Sequence, residues 1–380
     1  MSKKKIIRWL ILVAAILILI IVLIVNLGDI KSIWHMLTNA NIGYIFLAVA
    51  VMLLYAISYQ ASLIMLTKYR YKKLSIVDAF CISGSEFFFN AITPFSSGGQ
   101  PFQAYALKRK GMGLSDSTSV LLINFISYQI CLNAVGLTFI ILYYNKTFAN
   151  IGNYIGFLIA GFTINMIILV LLLLLGLVKP VGKFFMMLFD LICKIKFIDK
   201  RFGHQRERIS NYITNMQNAF KDILKSFKIW ILAILTKLLS FVFYYSIPFI
   251  ALLAIGIDIN SKDFMYTLAL TSFTLTIAIW VPTPGGAGGV ETAFKMLYTP
   301  FMENYGYSTN DATSISLTIM LVWRFITYYF MMGYGFLLYL IFENRSGRDE
   351  MQHIEPVSSS TQNEENVVLN EENNDIIIKE

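Results

Sequence analysis

Several runs of about twenty residues carry almost no charge, the length at which a helix matches the hydrocarbon thickness of a bilayer. A soluble domain has too little interior to hide so many: hydrophobic residues make up 57% of the 380 and charged residues only 14%. Runs such as 164–178 are apolar on every side, whereas strands of a transmembrane barrel would alternate apolar and polar positions. The fold class expected is an all-α polytopic membrane protein. Cys81, Cys131 and Cys193 show no metal or redox spacing and read as packing residues. There is no Gly-Lys-Ser/Thr phosphate loop and no zincin His pair, so ATP hydrolysis and metalloprotease chemistry have no footing and no cofactor is expected.

Six full spans are read at 6–25, 42–66, 117–143, 154–178, 229–255 and 312–342. The first follows Lys3, Lys4, Lys5 and Arg8 without a small-x-small cleavage signal; it is expected to stay as an anchor with a cytoplasmic N-terminus. Two further apolar stretches, 76–93 and 264–281, run into matching clusters and continue as shorter helical pieces. Residues 94–99 and 284–289 share a Pro-x-x-x-Gly-Gly pattern 190 positions apart, half the chain length. Lys68, Arg70, Lys72 and Lys73 before the first cluster and Lys108, Arg109 and Lys110 after it put both ends of that segment in the cytoplasm, so it should enter and return. The second follows Asp258 and precedes the acidic stretch 303–311, while Arg345 and Arg348 end the last span in the cytoplasm, so this hairpin should open from outside.

A shift of 190 lays 42–66 on 229–255, hairpin on hairpin and 117–143 on the last span, and the crossing at 154–178 turns the second copy upside down. The expected build is two inverted repeats, 42–143 and 229–342, with two re-entrant broken-helix hairpins, as in secondary transporters. The transmembrane domain covers 1–343. Within it the loop 179–228 holds eleven Lys or Arg against four acidic residues, interleaved with Phe184, Phe185, Leu188, Phe189, Ile192 and Phe197. It fits an amphipathic segment on an anionic cytoplasmic leaflet, and positive-inside bias accounts for its charge without a nucleic-acid partner. The tail 344–380 is acidic and polar and is expected to be disordered in the cytoplasm.

Broken backbone in lipid must be packed in protein or line a wet cavity. Pro94, Gly98, Gly99, Pro284, Gly285, Gly286, Gly288 and Gly289 are therefore expected to shape an interior cavity, and helices starting after Gly99 and Gly289 would offer N–H groups to a phosphate or carboxylate. A second reading of both clusters is tight helix packing alone. Four ionisable residues fall at membrane depth: Glu86, Lys237, Glu291 and Arg324. Each needs a partner or water, and the expected pairs are Glu291 with Arg324 and Glu86 with Lys237. Such pairs serve either to fix packing or to meet a polar headgroup. With Gln100 and Gln103 they form the candidate substrate-binding set; Asn90 and Asn124 add neutral hydrogen-bonding capacity. His35, His204 and His353 lie outside the spans, so proton coupling would fall to the two carboxylates.

Three stretches carry a family resemblance. They are Thr93-Pro94 through Gly98-Gly99-Gln100-Pro101 to Tyr105 and Leu107; Pro282-Thr283-Pro284-Gly285-Gly286 through Gly289 and Glu291; and Trp323-Arg324-Phe325 with Tyr328 and Gly333. They resemble signatures of the flippase-like integral membrane family, which includes the transmembrane region of lysylphosphatidylglycerol synthase, the multiple peptide resistance factor. The resemblance covers roughly residues 5–343. It implies a multi-pass protein of the bacterial plasma membrane that moves a polar or aminoacylated phospholipid between leaflets. Gln100 and Gln103 stand where many members carry charged residues. Full-length synthases add a large soluble domain that takes the aminoacyl group from tRNA; neither 179–228 nor the tail is long enough for one. Lysyl transfer to phosphatidylglycerol is the alternative reading and would need a soluble aminoacyl transferase as partner. A non-transporting scaffold is a third, and an oligomer is compatible with all of them.

Overall fold

The computed structural model describes residues 30–152, 155–193, 206–278, 281, 283–286 and 288–352. The expected span 6–25 lies outside the described residues. A short helix, α1 (Ile30–Thr38), leads into the long α2 (Ile42–Arg70), which starts where Asn41 accepts from the Gly43 N–H at 2.9 Å. Ser75 caps α3 (Ile76–Ala91) by accepting from the Asp78 N–H; a 3-10 turn (Pro94–Ser96) and α4 (Gly99–Arg109) follow. Next come α5 (Leu114–Leu142), α6 (Tyr144–Ile151), α7 (Ile155–Leu177), α8 (Lys179–Cys193), α9 (Arg206–Lys225) and α10 (Phe227–Ala254). A second broken pair, α11 (Phe264–Ala278) and α12 (Gly289–Glu303), is joined through a 3-10 turn (Pro284–Gly286). The described chain closes with α13 (Thr309–Arg324), a π-helical stretch (Phe325–Phe330) and α14 (Met331–Gln352).

All regular structure among the described residues is helical, and α2, α5, α7, α10 and the continuous helix Thr309–Gly347 are long and apolar enough to cross a membrane. This is an all-α polytopic membrane protein. Its polarity runs opposite to that of a soluble protein: Phe46, Ile57, Ile141 and Phe157 face outward, while Thr267, Thr271, Ser272, Thr274 and Thr276 of α11 are fully buried. The four buried threonine hydroxyls satisfy themselves on the preceding turn, as Thr271 does by donating to the Thr267 carbonyl at 2.9 Å. Small polar residues of this kind let helix backbones approach closely in a medium that gives no hydrophobic drive between helices.

The most extensive helix contact joins α2 to α10, and the next joins α3 to α14. Both broken pairs run antiparallel. Gly99 and Gln103 of α4 reach back to Asn90 and Glu86 of α3, and Tyr298 of α12 meets Thr271 of α11 at 2.8 Å. The two 3-10 turns pack on each other.

Each broken pair is fastened at its open end. Asp78, at the start of α3, is buried and receives Lys110 at 3.3 Å and Arg345 of α14 at 2.9 Å. Asp263, just before α11, receives Lys146 of α6 at 2.8 Å and the Tyr305 hydroxyl. The Arg345 contact corrects one expectation: the chain from Asn344 is not disordered at once but helical to Gln352, because Arg345 is tied to Asp78 and Ser346 is buried. The rest of the tail lies outside the described residues.

Gly335 of α14 sits where an added Cβ would stand 2.5 Å from the Phe88 backbone nitrogen and 3.0 Å from the Gly84 carbonyl, whereas Gly333 faces open space. Gly335→Val should destabilise the detergent-solubilised protein by about 1–3 kcal/mol, read as a lower melting temperature, with Gly333→Ala close to neutral; equal effects would contradict the close α3–α14 contact. Burial pushes the Asp263 carboxyl up, but hydrogen bonds from Lys146 and Tyr305 outweigh it and leave the group below its ordinary value. The stabilisation is then fully present above the unfolded carboxylate pKa near ~4 and fades as pH falls through the lower folded value. Asp263→Asn should flatten that acid loss in melting temperature, and an unchanged acid profile would rule out the clamp.

Candidate functional site

The two tips solve the same backbone problem with different residues. Phe95 and Ser96 adopt left-handed conformations with φ of 55° and 50°; at the positions 190 further on, Gly285 and Gly286 adopt φ of 61° and 66°. Such a conformation costs a non-glycine residue about 1–2 kcal/mol. Gly98 and Gly99 serve close approach instead: a Cβ on Gly98 would stand 2.7 Å from the Phe89 carbonyl, and one on Gly99 2.5 Å from Glu86 Cγ.

At each tip, N–H groups beside the helix start are taken by the chain's own side chains. Gly98 N–H donates to Thr93 Oγ1 and Gly99 N–H to Asn90 Oδ1, both at 2.8 Å. At the second tip Gly288 N–H donates to Glu291 Oε2. Breaks packed within protein are closed by nearby side chains before any ligand arrives.

Between the tips and helices α2, α3, α5, α10 and α13 lies a cavity of about 460 Å³. Arg324, the last residue of α13, projects into it with one guanidinium nitrogen on the Gly285 carbonyl and another 2.9 Å from Glu291 Oε1. Its side chain is only 4% exposed, so the expected Glu291–Arg324 ion pair is a buried one. Among the described residues Arg324 Nε has no intramolecular partner, nor has the side-chain amide of Gln129, another wall residue. The helix widens into its π-helical stretch directly after Arg324, a feature frequent at functional sites. That stretch carries Thr327 and Tyr328 onto the cavity wall, and Tyr328 donates across to the Ala91 carbonyl at 2.8 Å, tying one tip to the other.

Glu86 faces the same cavity from α3. Its oxygens accept from Tyr59 at 3.2 Å, Asn90 at 3.3 Å and Gln103 at 3.0 Å. Lys237 does not pair with it. That lysine is fully buried on α10, donates to the Tyr59 carbonyl at 3.1 Å and lies 3.2 Å from the centre of the Tyr59 ring. Tyr59 stands between the two charges, and among the described residues Glu86 has no basic partner. Of the expected set, Glu86, Gln100 and Arg324 line the cavity; Gln103, Glu291 and Lys237 stand behind them. Of the tip glycines, Gly285 and Gly286 reach the wall, and in the first tip Phe95, Ser96 and Ser97 do. The residues missed in the sequence are the aromatic rings. Tyr55, Tyr59, Tyr128, Tyr244 and Trp323 form a continuous wall, with Tyr55 and Tyr244 centred 4.9 Å apart and Tyr244 and Trp323 5.7 Å. Single tyrosines spread over three apolar helices carry no local pattern that would mark them.

The family described as the lysylphosphatidylglycerol synthase TM region matches residues 9–335. The chain belongs to that family. A UPF0104 membrane protein of Archaeoglobus fulgidus is 22% identical over 306 residues, covering 80% of this chain and 87% of that relative. Both tips, Glu86, Arg324 and the whole cavity wall fall inside the family match; most of α14 falls outside it.

Removing one partner of a buried ion pair leaves the other charge uncompensated, at a cost of about 3–5 kcal/mol. Glu291→Met or Arg324→Met alone should therefore lower the melting temperature more than the double variant, in which no orphan charge remains. Additive losses in that double-mutant cycle would show that the pair is not coupled.

Proposed function

We propose that the protein is a lipid translocase that moves a polar or aminoacylated phospholipid, such as lysyl-phosphatidylglycerol, between leaflets. The observation that carries this reading is the cavity's charge arrangement. Among the described residues Glu86 is a carboxylate with no basic partner, set beside aromatic rings, a setting that favours an ammonium group. Arg324 offers an unused Nε–H to a phosphate. A headgroup carrying both charges would use both, while its acyl chains stay in the bilayer. In this reading the broken pairs are re-entrant hairpins of two inverted repeats, and rocking of one repeat against the other exposes the cavity to alternate sides. The contact of α2 with α10, which correspond under the 190-residue shift, and the meeting of the two tips support that symmetry. The side bearing Lys108, Arg109, Lys110 and the basic α8 and α9 would be cytoplasmic by the positive-inside rule, in a bacterial plasma membrane.

The family's name is that of a synthase, which favours a second reading as the membrane module of a phosphatidylglycerol lysyltransferase working with a soluble aminoacyl transferase. A tRNA-dependent lysylation assay on the purified chain, alone and with such a transferase, separates the two.

Translocation is tested in liposomes carrying fluorescent lysyl-phosphatidylglycerol or phosphatidylglycerol, by loss of signal to a membrane-impermeant quencher. Wild type should exceed protein-free vesicles, and Arg324→Ala should fall to their level. Glu86→Gln should slow the lysylated lipid roughly tenfold more than the unmodified one, the scale of one lost charge-assisted hydrogen bond. Full activity in Arg324→Ala would remove the site from this cavity.

A further inference from the structure

A second cavity lies between α8 and α9, and it shares no residue with the first. The apolar helix α7 ends at Leu177 and the chain turns at once into α8 at Lys179. Gly182 lets α8 lie close on α9, since a Cβ there would stand 2.9 Å from Ile213 Cγ2. Gln217 of α9, itself buried, donates to the carbonyls of Leu175 at 2.8 Å and Val178 at 3.1 Å. These bonds hold α9 at the level where α7 leaves its apolar segment, the depth of lipid headgroups.

The cavity measures about 470 Å³, and Lys179, Lys183, Arg206, Ser210, Thr214 and Asn218 are its polar wall. Arg206 pairs with Asp190, the one acid among the described residues of that wall. Lys179 and Lys183 stand one helical turn apart, and among the described residues neither pairs with a carboxylate. Ammonium groups interspersed with hydroxyls suit a phosphate. Two features favour a lipid over a free anion: the interfacial level of the cavity, and the apolar side chains beside it. Leu171, Leu174 and Leu177 of α7 and Phe184, Met187 and Leu191 of α8 are all exposed.

We infer that the α8–α9 cavity binds the phosphate headgroup of an anionic phospholipid, with its acyl chains along the exposed face of α7. This site is separate from the central cavity and does not depend on translocation.

The test uses the full chain in detergent, titrated with dioleoyl-phosphatidylglycerol or dioleoyl-phosphatidylcholine, with bound lipid counted by mass spectrometry of the intact complex. Running it in the Arg324→Ala background removes the contribution of the central cavity. The anionic lipid should bind in preference to the zwitterionic one. Affinity should fall roughly fivefold in Lys183→Gln and about twenty-fivefold in the Lys179→Gln/Lys183→Gln double variant, from about one lysine's worth of surface attraction each. The Lys179→Arg/Lys183→Arg double variant should retain it. Both lysines are exposed, so melting temperatures without lipid should match that of the Arg324→Ala parent, and the single variant serves if the double one melts early. Three results would overturn the inference: unchanged affinity in both glutamine variants, equal binding of phosphatidylcholine, or displacement of the lipid by equimolar inorganic phosphate, which would make this a site for free anions.

Discussion

A helix broken inside a membrane protein frees backbone groups that hydrocarbon cannot satisfy, and the architecture around the cavity follows from how two such breaks are closed. At the first, Thr93 and Asn90 take up the N–H groups of Gly98 and Gly99. At the second, Glu291 takes the Gly288 N–H and Arg324 the Gly285 carbonyl. Tyr328 then bridges to Ala91. The side chains that close the breaks also supply much of the polarity of the cavity. Backbone satisfaction and cavity polarity are thus carried in part by the same side chains, so a change in either disturbs both.

The broken helix pairs are anchored unevenly along their length. Their open ends are held by ionic clusters, Asp78 with Lys110 and Arg345, and Asp263 with Lys146. Their sides pack through small residues, as where Gly335 meets the backbone of α3 and Gly161 that of α11. At the tips the contacts are individual hydrogen bonds around a cavity. Movement confined to the tips would leave the ionic clusters and the α3–α14 contact intact.

Much of the fold was legible because its signals are local. Charge-free runs mark spans wherever they pack, and the five that lie among the described residues reappear as helices long enough to cross. The Glu291–Arg324 pair was legible because two opposite charges at membrane depth have few other places to go. Where a second solution existed, local reasoning failed. Glu86 had three neutral donors within reach and used them, while Lys237 found the face and carbonyl of Tyr59. The N–H groups of Gly98, Gly99 and Gly288 find acceptors in Thr93, Asn90 and Glu291, which are ordinary polar residues in the sequence until each broken pair packs together. The aromatic wall was invisible for the same reason: its rings belong to helices distant in sequence and are brought together by packing alone.

The tips, alike in backbone, differ in what surrounds them. Phe95 is 53% exposed, so its side chain presses on little. A Cβ on Gly285 would stand 2.3 Å from the Tyr328 ring, which leaves no room for anything but hydrogen. Over evolutionary time these sites are unequally free to drift. Descendants of this sequence can exchange side chains at Phe95, recovering strain when glycine appears there, whereas Gly285 is frozen for as long as Tyr328 holds its place. A family tree built from the two tips would show one half ageing faster than the other.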